Sequence, residues 1–126
     1  MRKVIYTTDA PAPVGPYSQA VMHGDTLYCS GQIALDPKTG ELVTGDLETE
    51  TRLVFSNLKA VLKAADMTFE NVVKCSVFLS SMESFGAINK IYAEYFDEAT
   101  APARETVEVA NLPKYVNVEI SAIAIK

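Results

Sequence analysis

The sequence predicts an α+β fold in which a six-stranded mixed sheet carries two helices on one face. Three observations predict it. Several short runs alternate apolar and polar residues or are rich in β-branched ones; two longer stretches repeat apolar residues at three-to-four spacing; Gly and Pro punctuate the chain throughout. Together they give the order β-β-β-α-β-α-β-β, which places both helices against the same side of one sheet. At 126 residues with 48% hydrophobic content, the chain suffices for one domain, residues 1–126, able to bury about two thirds of its unfolded surface. No repeat, linker or low-complexity tract divides it.

Residues 3–6 read as a short strand. The stretch 18–32, "SQAVMHGDTLYCSGQ", reads as a hairpin turning at Gly24-Asp25, and "DPKTGE" at 36–41 as a Pro/Gly loop. From Leu47 the apolar positions Val54, Leu58, Val61, Leu62 and Ala65 continue a helix of about five turns behind Asp46 as N-cap. "NVVKCSVFLSS" at 71–81 is apolar on both faces, as a central strand of a covered sheet should be. Ser80 with Glu83 three residues on marks a second helix, its stripe being Phe85, Ile88, Ile91, Tyr92, Tyr95 and Phe96, and Pro102 ends it. Strands at 103–110 and 116–125, joined by "NLPKY", close the chain and are expected to be antiparallel neighbours.

Charge and cysteine usage remove several functions from consideration. Sixteen acidic against 11 basic residues give a net charge of -5, with no Lys/Arg run to neutralise phosphates or hold an anionic membrane. Cys29 and Cys75 sit in apolar runs without a Cys or His companion, which predicts buried reduced thiols and not a metal or redox pair. The N-terminus lacks the apolar core of a signal peptide, no apolar run approaches about 18 residues, and no glycosylation sequon occurs; a cytoplasmic protein is expected.

Two helices cover one face of such a sheet and leave nothing for the other. On the last strand Val116, Val118, Ile120 and Ala122 form one face, whereas Asn117, Glu119, Ser121, Ile123 and Ile125 form a second, mixed one. A partly apolar open face predicts a homo-oligomer. In "APARETVEVANLP", Val107 and Val109 mark a core face, so Arg104, Thr106 and Glu108 are expected to point away from the core. Arg104 and Glu119 would then be charges on uncovered faces of adjacent strands. They fit a guanidinium fork for a carboxylate beside a base for water, and fit equally a salt bridge stitching subunits together. Tyr17, after the Gly-Pro of "GPYSQA", offers a hydroxyl to a ligand or caps a core edge. The lone His23, at a hairpin tip, is expected to be solvated.

"PVGPYSQA", "LYCSGQIALDPKTGEL", "VVKCSVFL" and "PARETVEVANLPKYVNVEISAIAI", in order and almost end to end, resemble the RidA (YjgF-type) family of reactive enamine/imine deaminases. The resemblance implies a chorismate-mutase-like fold, a homotrimer, and ligand clefts between subunits. It implies hydrolysis of 2-aminoacrylate or 2-iminopropanoate-type species to a 2-oxo acid and ammonia, with no cofactor. By the same resemblance Arg104 of "PAR" grips the substrate carboxylate and Glu119 of "VNVEI" works on water. Tyr17, Ser30, Gly31 and Asn89 match cleft-lining positions. Where the family often has a small residue and then a cysteine after the arginine, this chain has Glu105 and Thr106, so Thr106 removes a thiol from the expected cleft. A non-catalytic binder or sensor of small 2-oxo or amino acids, using the same arginine clamp, is the alternative reading.

Overall fold

A computed structural model describes residues 2–126. The elements follow in the expected order: β1 (Arg2–Ile5), β2 (Ala20–His23), β3 (Thr26–Gln32), α1 (Leu47–Ala64), β4 (Val72–Leu79), α2 (Phe85–Tyr92), β5 (Ala103–Glu108) and β6 (Val118–Ile125). No helix among the described residues is long and apolar enough to cross a membrane.

The six strands lie side by side as β1-β2-β3-β6-β4-β5. All neighbours are antiparallel except β4 and β5, which run parallel because α2 carries the chain back between them. The sheet is therefore mixed, as expected. The two C-terminal strands, however, are not neighbours: β4 separates β5 from β6. A parallel strand needs a crossover, α2 supplies it, and the short "NLPKY" connection then passes beyond β4 to reach its other edge.

Local sequence explains the boundaries. Gly24, at φ 60°, supplies the left-handed residue that turns β2 into β3. Asp46 caps α1 by accepting from the Thr49 N–H at 3.0 Å. The second helix starts later than expected. Ser81, not Ser80, caps a 3₁₀ turn at Met82–Ser84, and α2 follows from Phe85. Ser80 is occupied elsewhere, its hydroxyl lying 3.2 Å from Asn117 Oδ1. Tyr95 and Phe96 fall beyond the end of α2, yet still pack inward.

One hydrophobic cluster lies between the helices and the sheet. Val54, Phe55, Leu58, Val61 and Leu62 of α1 and Ile88, Ile91 and Tyr92 of α2 meet Leu27, Cys29, Cys75, Val77, Leu79, Val118, Ile120, Ala122 and Ala124. Phe55 is its aromatic hub, stacked on Tyr95 at 4.1 Å and edge-on to Tyr92 at 5.9 Å. Both cysteines are free and buried. Burial pushes the Cys29 thiol up to about 12, so it stays protonated and behaves as a small apolar side chain.

The opposite face has no helix over it. There Tyr28, paired with Ile123, and Val107, paired in register with Phe78, stand largely exposed beside Val73 and Ile125. Lys74 and Glu105 form an ion pair across this face at 2.8 Å, and Ser76 donates to the same carboxylate. The mixed apolar and charged character expected of the open face is present.

Candidate active site

Arg104 sits opposite Cys75 in the parallel β4–β5 pairing, and Thr106 opposite Val77. Cys75 and Val77 are buried under the helices, so Arg104 and Thr106 share the helix-covered face. This reverses the expected orientation. Val107 is apolar because it belongs to the open face, not because it faces the core; on an edge strand that α2 covers only in part, the alternation is read with the opposite sign. Glu105 accordingly points to the open face, with Lys74 and Ser76.

The Arg104 guanidinium lies against α2. Its Nη1 donates to Asn89 Oδ1 at 2.9 Å, and its central carbon stands 4.6 Å from the Tyr92 ring centroid and 5.7 Å from that of Phe85. Asn89 and Tyr92 lie three apart on α2 and so present themselves together. A hollow of about 510 Å³ opens beside the guanidinium, walled by Tyr92, Ala93, Phe96, Glu98, Ala101 and Pro102. Beside it the Thr106 hydroxyl is buried without a hydrogen-bond partner, and the buried Tyr92 hydroxyl lies by the Cys75 thiol.

Glu119 lies opposite Phe78 on the open face of β6. Its carboxyl rests on the backbone of Gly31, where β3 bulges between Cys29 and Gln32: a Cβ at position 31 would stand 2.7 Å from Glu119 Cδ. Only glycine permits that approach. Partial burial pushes the Glu119 carboxyl above its ordinary value of 4.5, since desolvation disfavours the anion. Tyr17, Gly31, Glu119 and Lys114 line one hollow of about 160 Å³. Pro113 and Lys114, the first of two successive left-handed residues (φ 53° at Lys114, 57° at Tyr115), line its rim. The Tyr17 hydroxyl accepts from the Val14 N–H at 3.3 Å and is otherwise open. Ser30 donates its hydroxyl to the Ser18 carbonyl at 2.6 Å, so it braces the strand beside the hollow with its proton already committed.

The expected site residues thus gather into two groups: Asn89, Arg104 and Thr106 on the helix face, and Tyr17, Gly31 and Glu119, with Ser30 adjacent, at the open face. One chain does not bring the groups together. Two strand spacings, about 10 Å, separate β5 from β6. A direct Arg104–Glu119 salt bridge within a chain is excluded by that geometry. Sequence reasoning took Tyr92 for a core residue and passed over Lys114; the i, i+3 spacing of Asn89 and Tyr92 was the available signal for the first.

Comparison with known proteins fixes the lineage. The model of the family described as Endoribonuclease L-PSP, the YjgF/RidA family, matches residues 7–126. The chain belongs to this Rid family. Among its relatives, a RutC family protein of Pyrococcus horikoshii is 52% identical over 126 residues, covering 100% of this chain and 99% of that one. A mouse protein named 2-iminobutanoate/2-iminopropanoate deaminase is 50% identical over 126 residues, covering 100% of this chain and 93% of that one. Among solved Rid structures, a protein of Yersinia pestis superposes with a TM-score of 0.96 at 45% identity over the full length of both chains. E. coli TdcF, solved with bound serine, gives 0.92 at 41% identity over 98% of each chain. The Rid fold expected from the sequence is therefore the fold observed.

Proposed function

We propose that this protein is a 2-iminobutanoate/2-iminopropanoate deaminase acting in clefts between copies of the chain. The observation that carries the reading is the division of charges: a guanidinium with unengaged donors on one face and a desolvated carboxyl on the other, each in its own hollow. Joined across a subunit boundary, the two half-sites make a cleft for a small carboxylate-bearing electrophile. The exposed apolar face supplies a boundary of the required kind, and a homotrimer is the assembly the sequence resemblance implies.

In this reading Arg104 binds the substrate carboxylate with the donors Asn89 leaves free, which fixes the imine carbon relative to the opposite wall. Glu119 of another copy positions a water for attack on that carbon, accepts its proton and returns one to the departing nitrogen. The products are a 2-oxo acid and ammonia, and no group outside the cleft is required for the balance. The Tyr17 hydroxyl faces the same space and offers a further hydrogen bond. Thr106 puts a hydroxyl below Arg104 where relatives often carry a thiol, and leaves the clamp in place.

The deaminase names of mammalian relatives near 50% identity support this reaction. Serine bound to TdcF supports a site for amino-acid-like carboxylates and equally the binder alternative. The family description names an endoribonuclease, but a chain of net charge -5 whose single histidine lies at an exposed hairpin tip favours a small-molecule substrate over RNA. The test is a coupled assay. A pyridoxal-phosphate serine or threonine dehydratase generates the imine, and 2-oxo acid release is followed with and without this protein. Acceleration that Arg104→Ala abolishes, with assembly intact, supports the deaminase; binding of 2-oxo acids without acceleration supports the binder.

A further inference from the structure

The arginine clamp has a backing that the cleft-lining positions expected from the sequence do not include. An arginine on an edge strand has several free rotors, and a fork useful for a carboxylate must keep its plane fixed. Asn89 holds one end of the Arg104 guanidinium at 2.9 Å, which alone leaves rotation about that hydrogen bond. The Tyr92 ring, 4.6 Å from the guanidinium carbon, removes this freedom by covering one side of the cation.

Tyr92 itself is well anchored. Only 7% of its surface is exposed, and its ring is wedged edge-on against Phe55 at 5.9 Å and tilted on Phe96 at 4.8 Å. Its hydroxyl is buried beside the Cys75 thiol, and the ring is held chiefly by its packing against Phe55 and Phe96. The second aromatic, Phe85, is farther from the cation at 5.7 Å and more exposed. Tyr92 is thus the wall against which the fork is set.

We propose that Tyr92 is a positioning residue for the substrate carboxylate: its ring fixes the plane of the Arg104 guanidinium so that the donors Asn89 leaves free point into the cleft. The inference rests on the deaminase reading of the site. Because the ring acts on the carboxylate through the cation it backs, at the edge of the hollow, its removal is expected to loosen carboxylate binding and to leave the attack on the imine largely unaltered.

Three replacements test it, read by KM and kcat in the coupled assay and by calorimetric binding of pyruvate. Tyr92→Leu removes the ring, and Tyr92→pentafluorophenylalanine keeps a ring of similar shape but reverses the charge pattern of its face. Both are expected to raise KM and weaken pyruvate binding by about fivefold to thirtyfold, the range of a partly desolvated cation–π contact, with kcat changed far less. Tyr92→Phe, which restores the ring face, is expected to rescue KM. The fluorinated variant guards against simple unfolding of the Leu variant. A fluorinated protein that melts like the wild type and binds pyruvate as tightly as the Phe variant overturns the inference alone. A wild-type protein that neither binds pyruvate nor accelerates imine hydrolysis overturns the functional reading, and this inference with it.

Discussion

Arg104 and Glu119 stand on opposite faces of one sheet, with β4 between their strands. Each has a local support that makes no reference to the other: Asn89 and Tyr92 hold the guanidinium, while the bare backbone of Gly31 receives the carboxyl. A sheet with helices on one side and an exposed apolar surface on the other can bring them together only by meeting another copy of itself. On the proposed reading, a site that uses both groups therefore needs a second copy of the chain.

Gly31→Ala is expected to inactivate without unfolding. Its new Cβ would fall 2.7 Å from Glu119 Cδ and 2.8 Å from Oε2, and the carboxylate, as the free end of a side chain, moves first. A displacement of about 1 Å at a catalytic base lowers the rate by roughly a hundredfold. The coupled assay should show that loss while thermal melting shifts by only a few degrees; a fully active Ala variant would deny Glu119 its role.

The proton affinity of Glu119 reports whether a cation from another copy approaches it. Burial alone raises the carboxyl above 4.5, and an opposing guanidinium acts in the reverse direction. Carbon-13 titration of the Glu119 carboxyl should therefore give a higher midpoint in the assembled Arg104→Ala variant than in the assembled wild type. The stability contribution of a raised carboxyl is present below 4.5 and is lost as pH rises through the raised value. Adding Glu119→Gln to the Arg104→Ala variant should accordingly raise its melting temperature at neutral pH, an advantage that vanishes near pH 4. Identical midpoints with and without Arg104 would separate the two residues in the assembly as well.

Glu50 is expected to be the most costly polar residue to remove. It is wholly buried in α1, accepting at 2.7 Å from both the backbone N–H and the side-chain amide of Asn117, just ahead of β6. Glu50→Ala strands those donors in the core and leaves a void, a loss of about 3 kcal/mol. Glu50→Gln sets a donor against a donor and should fall between. Denaturant unfolding measures both, and an Ala variant as stable as the wild type would contradict the assignment.

Much of the fold was legible because periodicity and caps are local signals. The Gly24 turn, the Asp46 cap and the order of elements followed from neighbouring residues alone. The faces of β5 were not legible. Val107 is apolar for the sake of an open surface, and nothing in an alternating pattern distinguishes an interface side from a core side. The expected pairing of the last two strands failed for a related reason, since strand order depends on the α2 crossover and not on chain proximity. Residue types at the site were visible in the motifs; their division into two groups required the geometry.

Mixed assembly offers the most direct test. Arg104→Ala and Glu119→Ala, each inactive, are unfolded and refolded together in equal amounts, and hybrid formation is verified by mass. If every cleft draws its guanidinium from one copy and its carboxylate from another, random mixing restores both groups in about one cleft in four, and activity should return to about a quarter of the wild-type value. Hybrids no more active than either variant alone would contradict a site shared between copies.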